Sequence, residues 1–332
     1  MRKHHDIALT GLIGSKPLAA LAAFGLLRWC EEIDALRGAT LGWALEDDWI
    51  AVLGAPRPMT EDELCRTLLE AHGTGHFPYL DWSPTLRVPV DEFRARCIAD
   101  AAAAESAGRL AADFDAAYGC GAVADNKGRL TPTRLDMTSG QQRFLELLAN
   151  LAASLAPAGR PRGRQTPAAL LDAAREALFG PWTYSDPEHS LGWDADAERM
   201  HALRAMAPGN DAANKSVRFA VWLAHYALPL LPGVPVRGRL ATTGFIVQRR
   251  QLPRFRWPVW EAPIGWATLA SLLASADLVG SGAEIAALHR RGVAAVYESL
   301  RHDFGQGYGV LRPARLVVAR EAAPPPAAPL II

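Results

Sequence analysis

Residues 6–33 read DIALTGLIGSKPLAALAAFGLLRWCEEI, and their order predicts a short strand, a glycine turn and a helix. Ser15 is a residue type that caps helix N-termini, and Pro17 suits the first helical turn because it lacks a backbone N–H. One face of this helix carries the apolar side chains Leu18, Leu21, Ala22, Gly25 and Trp29. We therefore expect a buried helix directly after the first strand.

The same stretch imitates a signal peptide, but its details argue against one. The apolar run Pro17–Leu27 has 11 residues, whereas a helix needs about 20 to span a bilayer. Asp6 and Lys16 interrupt the lead-in, and no small-residue cleavage site follows before Arg28. We expect no membrane association and a cytoplasmic protein with four reduced thiols, at Cys30, Cys65, Cys97 and Cys120.

The rest of the chain mixes strands with helices. Residues 39–56, ATLGWALEDDWIAVLGAP, predict two strands around an acidic turn. Thr60 and Glu63 form a capping box before a helix over about 60–71, and another helix is expected over 91–107. Residues 239–263, RLATTGFIVQRRQLPRFRWPVWEAP, predict a β-hairpin with a half-buried second strand. Because no regular βαβ alternation is present, the fold class is α+β, with helices, antiparallel strands and hairpins.

A segment rich in Pro, Gly and Arg, APAGRPRGRQTP at 156–167, suggests two regions. We assign an N-terminal α+β region to 1–156, a connection to 157–167 and a C-terminal α+β region to 168–320, which can pack with the first as one domain. The tail at 321–332, EAAPPPAAPLII, is expected to be disordered because its composition cannot build regular structure.

The charge composition gives no net field toward nucleic acid or membrane. Lys plus Arg and Asp plus Glu number 35 each, but all except four of the basic residues are arginines. Arginine suits bidentate contacts with carboxylate or phosphate, although a GC-rich genome would also favour it.

The strongest local signal for nucleic acid is QRRQLPRFRWPVW at 248–260. Arginines among aromatic residues can bind a phosphate backbone and stack on bases. The candidate contacts are Arg249, Arg250, Arg254, Arg256 and Trp257. The alternative is a solvated strand face above an aromatic core.

Two polar turns could approach a ligand. In RLDMTSGQQRFLELLANL at 134–151, a Thr-Ser-Gly-Gln sequence fits a capping box before an apolar helix, and such a helix end also receives phosphate. The turn Gly305–Gly309 permits close approach of a ligand to the backbone, but we favour a tight hairpin turn as the explanation of these glycines.

No catalytic, cofactor or metal motif is evident. His72 and His76 are separated by Gly-Thr-Gly, which breaks the helix that a shared metal would need, and no third ligand follows. His225 is expected to be a core histidine. Asp194, Asp196 and Glu198 either bind a metal or lie on a solvated edge.

Five stretches together resemble a known family. They are GLIGSKPLAALAAFGLLR (11–28), LDMTSGQQRFL (135–145), LFGPWTYSDPEHSLGWDADAERMHALRA (178–205), ATTGF (241–245) and WPVWEAPIGWATLASLL (257–273). The chain is similar, from about Leu9 to Leu273, to CRISPR-associated proteins of subtype I-G, formerly I-U. The similarity is greatest to the group described as an extension of the CRISPR helicase-nuclease, and the large effector subunit begins similarly. The more specific motif residues are Asp136, Thr138, Ser139, Gly140, Gln141, Trp182, Tyr184, Trp193 and Asp194.

The resemblance implies a non-catalytic component or accessory of an antiviral interference system. It would bind RNA or DNA, the helicase-nuclease, or both, beside a crRNA-guided effector complex. The family pattern is Arg-Trp-Asp-Pro where this chain has Gly192-Trp193-Asp194-Ala195, so an Arg contact is missing. The alternatives are a protein-only adaptor that uses aromatic loops at Tyr79–Trp82 and Trp182–Tyr184, and a metal-dependent nuclease built on Asp136 or the acidic cluster at 194–198.

Overall fold

The computed structural model describes residues 5–138, 142–157, 165–186, 190–194, 216–280, 287–303 and 309–319. The described helices are α1 (Pro17–Cys30), α2 (Glu61–His72), α3 (Pro78–Asp81), α4 (Val90–Ala107), α5 (Leu110–Tyr118), α6 (Phe144–Ser154), α7 (Pro167–Phe179), α8 (Arg218–His225), α9 (Trp266–Leu273) and α10 (Ala276–Val279). Short 3-10 turns occupy Leu228–Leu230 and Leu288–Arg291.

The described strands all pair antiparallel, so the α+β prediction is confirmed. They are β1 (His5–Ile13), β2 (Thr40–Leu45), β3 (Trp49–Ala55), β4 (Gly119–Ala124), β5 (Leu130–Pro132), β6 (Gly233–Val236), β7 (Arg239–Thr242), β8 (Phe245–Ile246), β9 (Arg254–Trp260), β10 (Val293–Asp303), β11 (Gly309–Leu311) and β12 (Arg315–Ala319). One sheet has the order β1-β3-β2. A five-stranded sheet has the order β11-β10-β9-β8, with β12 also paired to β10. Two hairpins, β4-β5 and β6-β7, complete the set.

Helix α1 forms the centre of the core, as its sequence predicts, and all of its residues are buried. Its Ala- and Leu-rich surface lets α8 pack closely. At Gly25 an added Cβ would lie only 1.8 Å from the carbonyl oxygen of Leu223. The two helices can therefore approach this closely only because position 25 carries no side chain.

The N-terminal and C-terminal regions share one buried core. Leu41 of β2 and Ile264, in the segment that follows β9, exchange backbone hydrogen bonds of 2.8 and 2.9 Å. The Trp260 indole N–H donates to the Leu41 carbonyl at 2.8 Å, and its ring stacks on Phe24 at 5.9 Å. Of the expected connection, residues 158–164 lie outside the described residues, as does the tail at 321–332. Helix α7 begins directly after this gap, with Thr166 as its cap.

One of the three predicted helix caps is present in the structure. The Thr60–Glu63 capping box is confirmed, with both reciprocal hydrogen bonds present. The Ser15 cap is wrong, because Lys16 is the N-cap and the Ser15 hydroxyl donates to Asp48 instead. The capping box over 138–142 is also wrong, because α6 begins at Phe144 with Arg143 as its N-cap and no side-chain cap. In the described residues, no helix is both long and apolar enough to cross a membrane.

Candidate nucleic-acid interface

The register of β9 and β10 gathers arginines around one buried carboxylate. Glu298 has a side chain that is 0% exposed, and Arg256 Nε donates to its Oε2 at 2.6 Å. Arg315 Nη2 donates to Oε1 at 2.8 Å, and Arg254 Nη1 lies 3.7 Å from the same oxygen. Burial alone would raise the pKa of Glu298, but hydrogen bonds from Arg315 and Arg256 and the charge of Arg254 hold it below its usual value. Three guanidinium groups therefore share one negative charge.

Two members of the predicted nucleic-acid set are internal, so their assignment as contacts is corrected. Trp257 is 0% exposed, and its indole N–H donates to the carbonyl oxygen of Gly14 at 2.8 Å. Arg256 is 7% exposed and also donates to the carbonyl oxygens of Leu278 and Gly280. Strand β9 is covered on both faces from residue 255 to 260, not half-buried as expected. Neither side chain can therefore reach a base or a phosphate in this fold.

Arg249 and Arg250 do lie where a ligand can reach them. Both are exposed in the loop between β8 and β9. Arg250 adopts a positive φ of 63°. Among the described residues, neither guanidinium has a hydrogen-bond or ion-pair partner. Arg254 Nη2 donates to Gln248 Oε1 at 2.9 Å, which ties this loop to the Glu298 cluster. We call Arg249, Arg250, Arg254 and Arg315 the arginine surface.

Several of the motifs that carry the family resemblance meet along strand β11, away from the arginine surface. Gly309 N donates to the Met137 carbonyl at 3.0 Å, and Leu311 N donates to the Gly192 carbonyl at 2.7 Å. The Trp193 indole N–H donates to the Leu135 carbonyl at 2.9 Å. From the ATTGF stretch, Thr242 Oγ1 accepts from Arg134 N at 3.1 Å. Segments far apart in the sequence thus form one junction, which we call the motif junction.

Buried side chains in the junction hold its turn in shape. Asp136 is 4% exposed, and its Oδ1 accepts from Thr138 N at 3.0 Å and from Thr138 Oγ1 at 2.6 Å. Burial raises the pKa of Asp136, although the Thr138 hydrogen bonds and the charges of Arg87 and Arg301 oppose the rise. Asp194 is buried too, whereas Ser139, Gly140 and Gln141 lie outside the described residues. These contacts give Asp136, Thr138 and Trp193 a structural role.

The aromatic loops proposed for an adaptor are packed against the protein itself. Tyr79 is buried and stacks on Phe114 at 4.3 Å, while Arg96 covers the ring of Trp82 at 4.8 Å. Trp182 is partly buried, and its indole N–H donates to the Ala177 carbonyl at 3.1 Å. Tyr184 is also partly buried and packs edge-on against Trp182. These rings are consequently poor docking elements.

His225 lies in the core, as the sequence predicts. His225 is a core residue with its Nε2 3.5 Å from the Tyr118 hydroxyl, and burial lowers its pKa to about 3. His72 is buried, whereas His76 is exposed and pairs with Asp81 at 3.0 Å. Among the described residues, no group of three His, Cys, Asp or Glu side chains could hold a metal ion. Asp196 and Glu198 lie outside those residues.

Three further arginines lie at these two places and were not predicted from the sequence. Arg315 joins the Glu298 cluster from β12, and Arg134 and Arg301 lie beside the motif junction. Arg134 directly precedes the LDM motif, which is a signal that could have been used. Arg301 and Arg315 carry no comparable signal, because only strand pairing reveals their neighbours.

No protein-family model matches the chain, and no curated protein matches it. The resemblance to subtype I-G proteins therefore depends on the quoted motifs and stays a prediction.

Proposed function

We propose that this protein binds nucleic acid through the arginine surface. The excess of positive charge at this surface carries the proposal. Three guanidinium groups share the single carboxylate of Glu298, and Arg249 and Arg250 add two further positive charges in the adjoining loop. A concentrated positive surface attracts a phosphate backbone even when the net charge of the whole chain is zero.

The quoted family motifs supply the biological setting of the proposal. The chain would serve as a non-catalytic component or accessory of a subtype I-G interference system, next to a crRNA-guided complex and its helicase-nuclease. Co-purification of the tagged chain with such a complex tests this setting. A gene neighbourhood without a repeat array or helicase-nuclease would contradict it.

The binding proposal is tested by fluorescence anisotropy with labelled single-stranded RNA, single-stranded DNA and duplex DNA at several salt concentrations. Phosphate contacts release counterions, so log K must fall linearly with log salt. The double variant Arg249→Ala/Arg250→Ala removes two contacts, and we expect its slope on a single strand to be shallower by about 1.4.

A matched control removes the same amount of charge elsewhere. Arg57 and Arg66 are exposed near helix α2, where they lie close to Glu63 and Asp62 respectively. We expect Arg57→Ala/Arg66→Ala to bind like the parent protein. If both double variants lose the same affinity, only the net charge matters, and the arginine surface is not the site.

A protein-only adaptor is the second candidate, because apolar side chains are exposed beside the same arginines. Val247 is 51% exposed, and Leu252 and Leu300 are each 41% exposed. A complex with the helicase-nuclease that forms without nucleic acid and resists salt would favour this candidate. Magnesium-dependent cleavage by the isolated protein would instead contradict both non-catalytic functions.

A further inference from the structure

Two arginines meet at the turn that begins the motif junction, since Arg301 Nη2 donates at 3.4 Å to the backbone oxygen of Asp136, two residues after Arg134. Arg134 and Arg301 are both partly buried, and each has a buried Nε that lacks a hydrogen-bond partner within the described part of the chain. Burial lowers the pKa of Arg134, and the charge of Arg301 lowers it further. Two like charges are thus held together where water is partly excluded.

The charges of Asp303 and Asp136 favour the charged form of Arg301, but among the described residues no carboxylate forms an ion pair with Arg134 or Arg301. Asp136 uses Oδ1 to accept from Thr138, and Arg301 Nη2 donates to the backbone oxygen of Asp136 at 3.4 Å, not to its carboxylate. Arg87 likewise donates to the backbone oxygen of Thr138 at 3.1 Å. Asp303 favours the charged form of Arg301 but lies exposed. Among the described residues no acid opposes the lowering of the Arg134 pKa, so Arg134 is the less compensated of the two arginines.

Structural arginines in the same protein behave differently. Arg256 is more deeply buried than Arg134 and Arg301, but its Nε donates to Glu298 and its Nη1 donates to two backbone carbonyls. Leaving a buried charge unpaired is costly, so a site with unused guanidinium donors is poised to gain from an anion. The planar fork of arginine matches the oxygens of phosphate.

We propose that Arg134 and Arg301 form a binding site for a phosphate group. The site is separate from the arginine surface, because Arg301 and Glu298 are three positions apart on β10 and so point to opposite faces of the sheet. The phosphate is either the terminal phosphate of a nucleic acid strand or a free phosphate ion. Only the first of these sources rests on the proposed nucleic-acid function.

Thermal unfolding of the full chain tests the site with inorganic phosphate as the probe. Measurements in HEPES with chloride at matched ionic strength provide the reference. At phosphate about tenfold above its Kd, we expect the parent Tm to rise by about 2 °C. We expect Arg134→Met and Arg301→Met to abolish the rise. Arg249→Met on the arginine surface serves as the matched control and should keep it.

The stability of Arg134→Met without phosphate separates a binding role from a structural one. If the Arg134 charge is unpaired, the variant unfolds at a Tm equal to or above that of the parent in phosphate-free buffer. A parent Tm that does not respond to phosphate would overturn the proposal. A rise that persists in both Arg134→Met and Arg301→Met would overturn it as well.

Anisotropy with 5′-phosphorylated and 5′-hydroxyl strands then identifies the source. A preference for the phosphorylated strand that disappears in Arg134→Met supports a terminal phosphate. Equal binding of both strands, together with an intact response to inorganic phosphate, supports a free ion. If neither strand binds but phosphate still raises the Tm, the proposed nucleic-acid function fails and the phosphate site stands.

Discussion

The guanidinium of Arg301 packs directly against Gly309. A Cβ added at position 309 would lie 3.2 Å from both Nε and Nη2 of Arg301, closer than carbon normally approaches these atoms. The two residues lie on neighbouring strands, since Arg301 pairs with Leu311 and Asp303 pairs with Gly309. The last glycine of the HDFGQGYG stretch therefore leaves room for this arginine, and residues 304–308 of the turn lie outside the described residues.

Gly309→Ala should displace the Arg301 side chain while leaving the fold intact. The clash involves the mobile end of a long side chain, so we expect a loss of stability below about 1 kcal/mol. The Tm response to inorganic phosphate should nevertheless fall by at least half. Thermal unfolding with and without phosphate measures both effects. An unchanged response would mean that Gly309 does not position Arg301.

Gly192→Ala provides the contrast, because the neighbour there is backbone. Gly192 has a φ of 75°, and an added Cβ would lie 2.4 Å from the carbonyl oxygen of Gly309. A strained backbone angle together with a collision that cannot relax should cost about 2 kcal/mol or more. Denaturant unfolding compares the two variants. If Gly192→Ala is as stable as Gly309→Ala, the close contact between Gly192 and β11 is contradicted.

Gly25→Ala should be strongly destabilising, although alanine is the better helix former. In an unpacked helix this change stabilises by about 1 kcal/mol. Here the new methyl group would collide with the Leu223 carbonyl, so we expect a net loss of about 3 kcal/mol or a failure to fold. Gly265→Ala is the control, since no described atom beyond its chain neighbours lies within 4 Å of its Cβ position. A Gly25→Ala protein as stable as this control would refute the helix crossing.

Glu298→Gln should destabilise the protein far more than substitution of Arg315, the exposed arginine that contacts Glu298. Removing the charge leaves Arg256 buried without its counterion, which costs about 3–5 kcal/mol. Arg315 is 69% exposed, so Arg315→Ala should cost less than about 1 kcal/mol. Urea unfolding of both variants gives the comparison. Similar losses would show that Glu298 is not the centre of the cluster.

The fold was largely accessible from local patterns. The strand-turn-helix at 6–33, the hairpin at 39–56 and the Thr60 capping box depend on neighbours within a few residues, so periodicity and capping rules predict them. The predicted cap of α6 is wrong because the Thr138 hydroxyl donates to Asp136 and does not cap the helix. The sequence contains both possible partners of Thr138 but does not show which of them it binds.

The candidate site was only partly accessible, because its charges are set by long-range pairing. Arg249 and Arg256 look equivalent in QRRQLPRFRW, yet one is exposed and the other is bound to Glu298 across the sheet. Strand alternation predicts that Arg254 and Arg256 share a face, but not that Glu298 and helix α10 cover that face. Similarly, no sequence pattern predicts that Arg134 and Arg301 lie at the same turn, because they are far apart in the chain.

Three buried groups give the stability of this protein a defined dependence on pH. Burial lowers the pKa of His72 to about 4 and that of His225 to about 3, so both imidazoles are neutral in the folded protein and protonate near 6.5 when it unfolds. Asp115 acts in the opposite sense, because burial raises its pKa from 3.8 to about 7. Around pH 5 the unfolded chain therefore binds two extra protons at the histidines, and the folded chain binds one at Asp115.

His225→Phe should reduce the loss of stability on acidification. Because the folded-state pKa of His225 is depressed, its contribution is complete above pH 6.5 and is lost as the pH falls toward 3. Its removal should lower the slope of unfolding free energy against pH, between pH 4 and 6, by about 1.4 kcal/mol per pH unit. Urea unfolding at several pH values measures the slope.

Phenylalanine at position 225 keeps an aromatic ring against Phe114, whose centroid lies 4.4 Å from that of the His225 ring. Tyr118→Phe is the control, because it removes the hydrogen bond to His225 without removing an acid-titrating group, and its slope should match the parent. If His225→Phe keeps the slope of the parent, the pKa of His225 is not lowered in the folded protein, and the prediction is wrong.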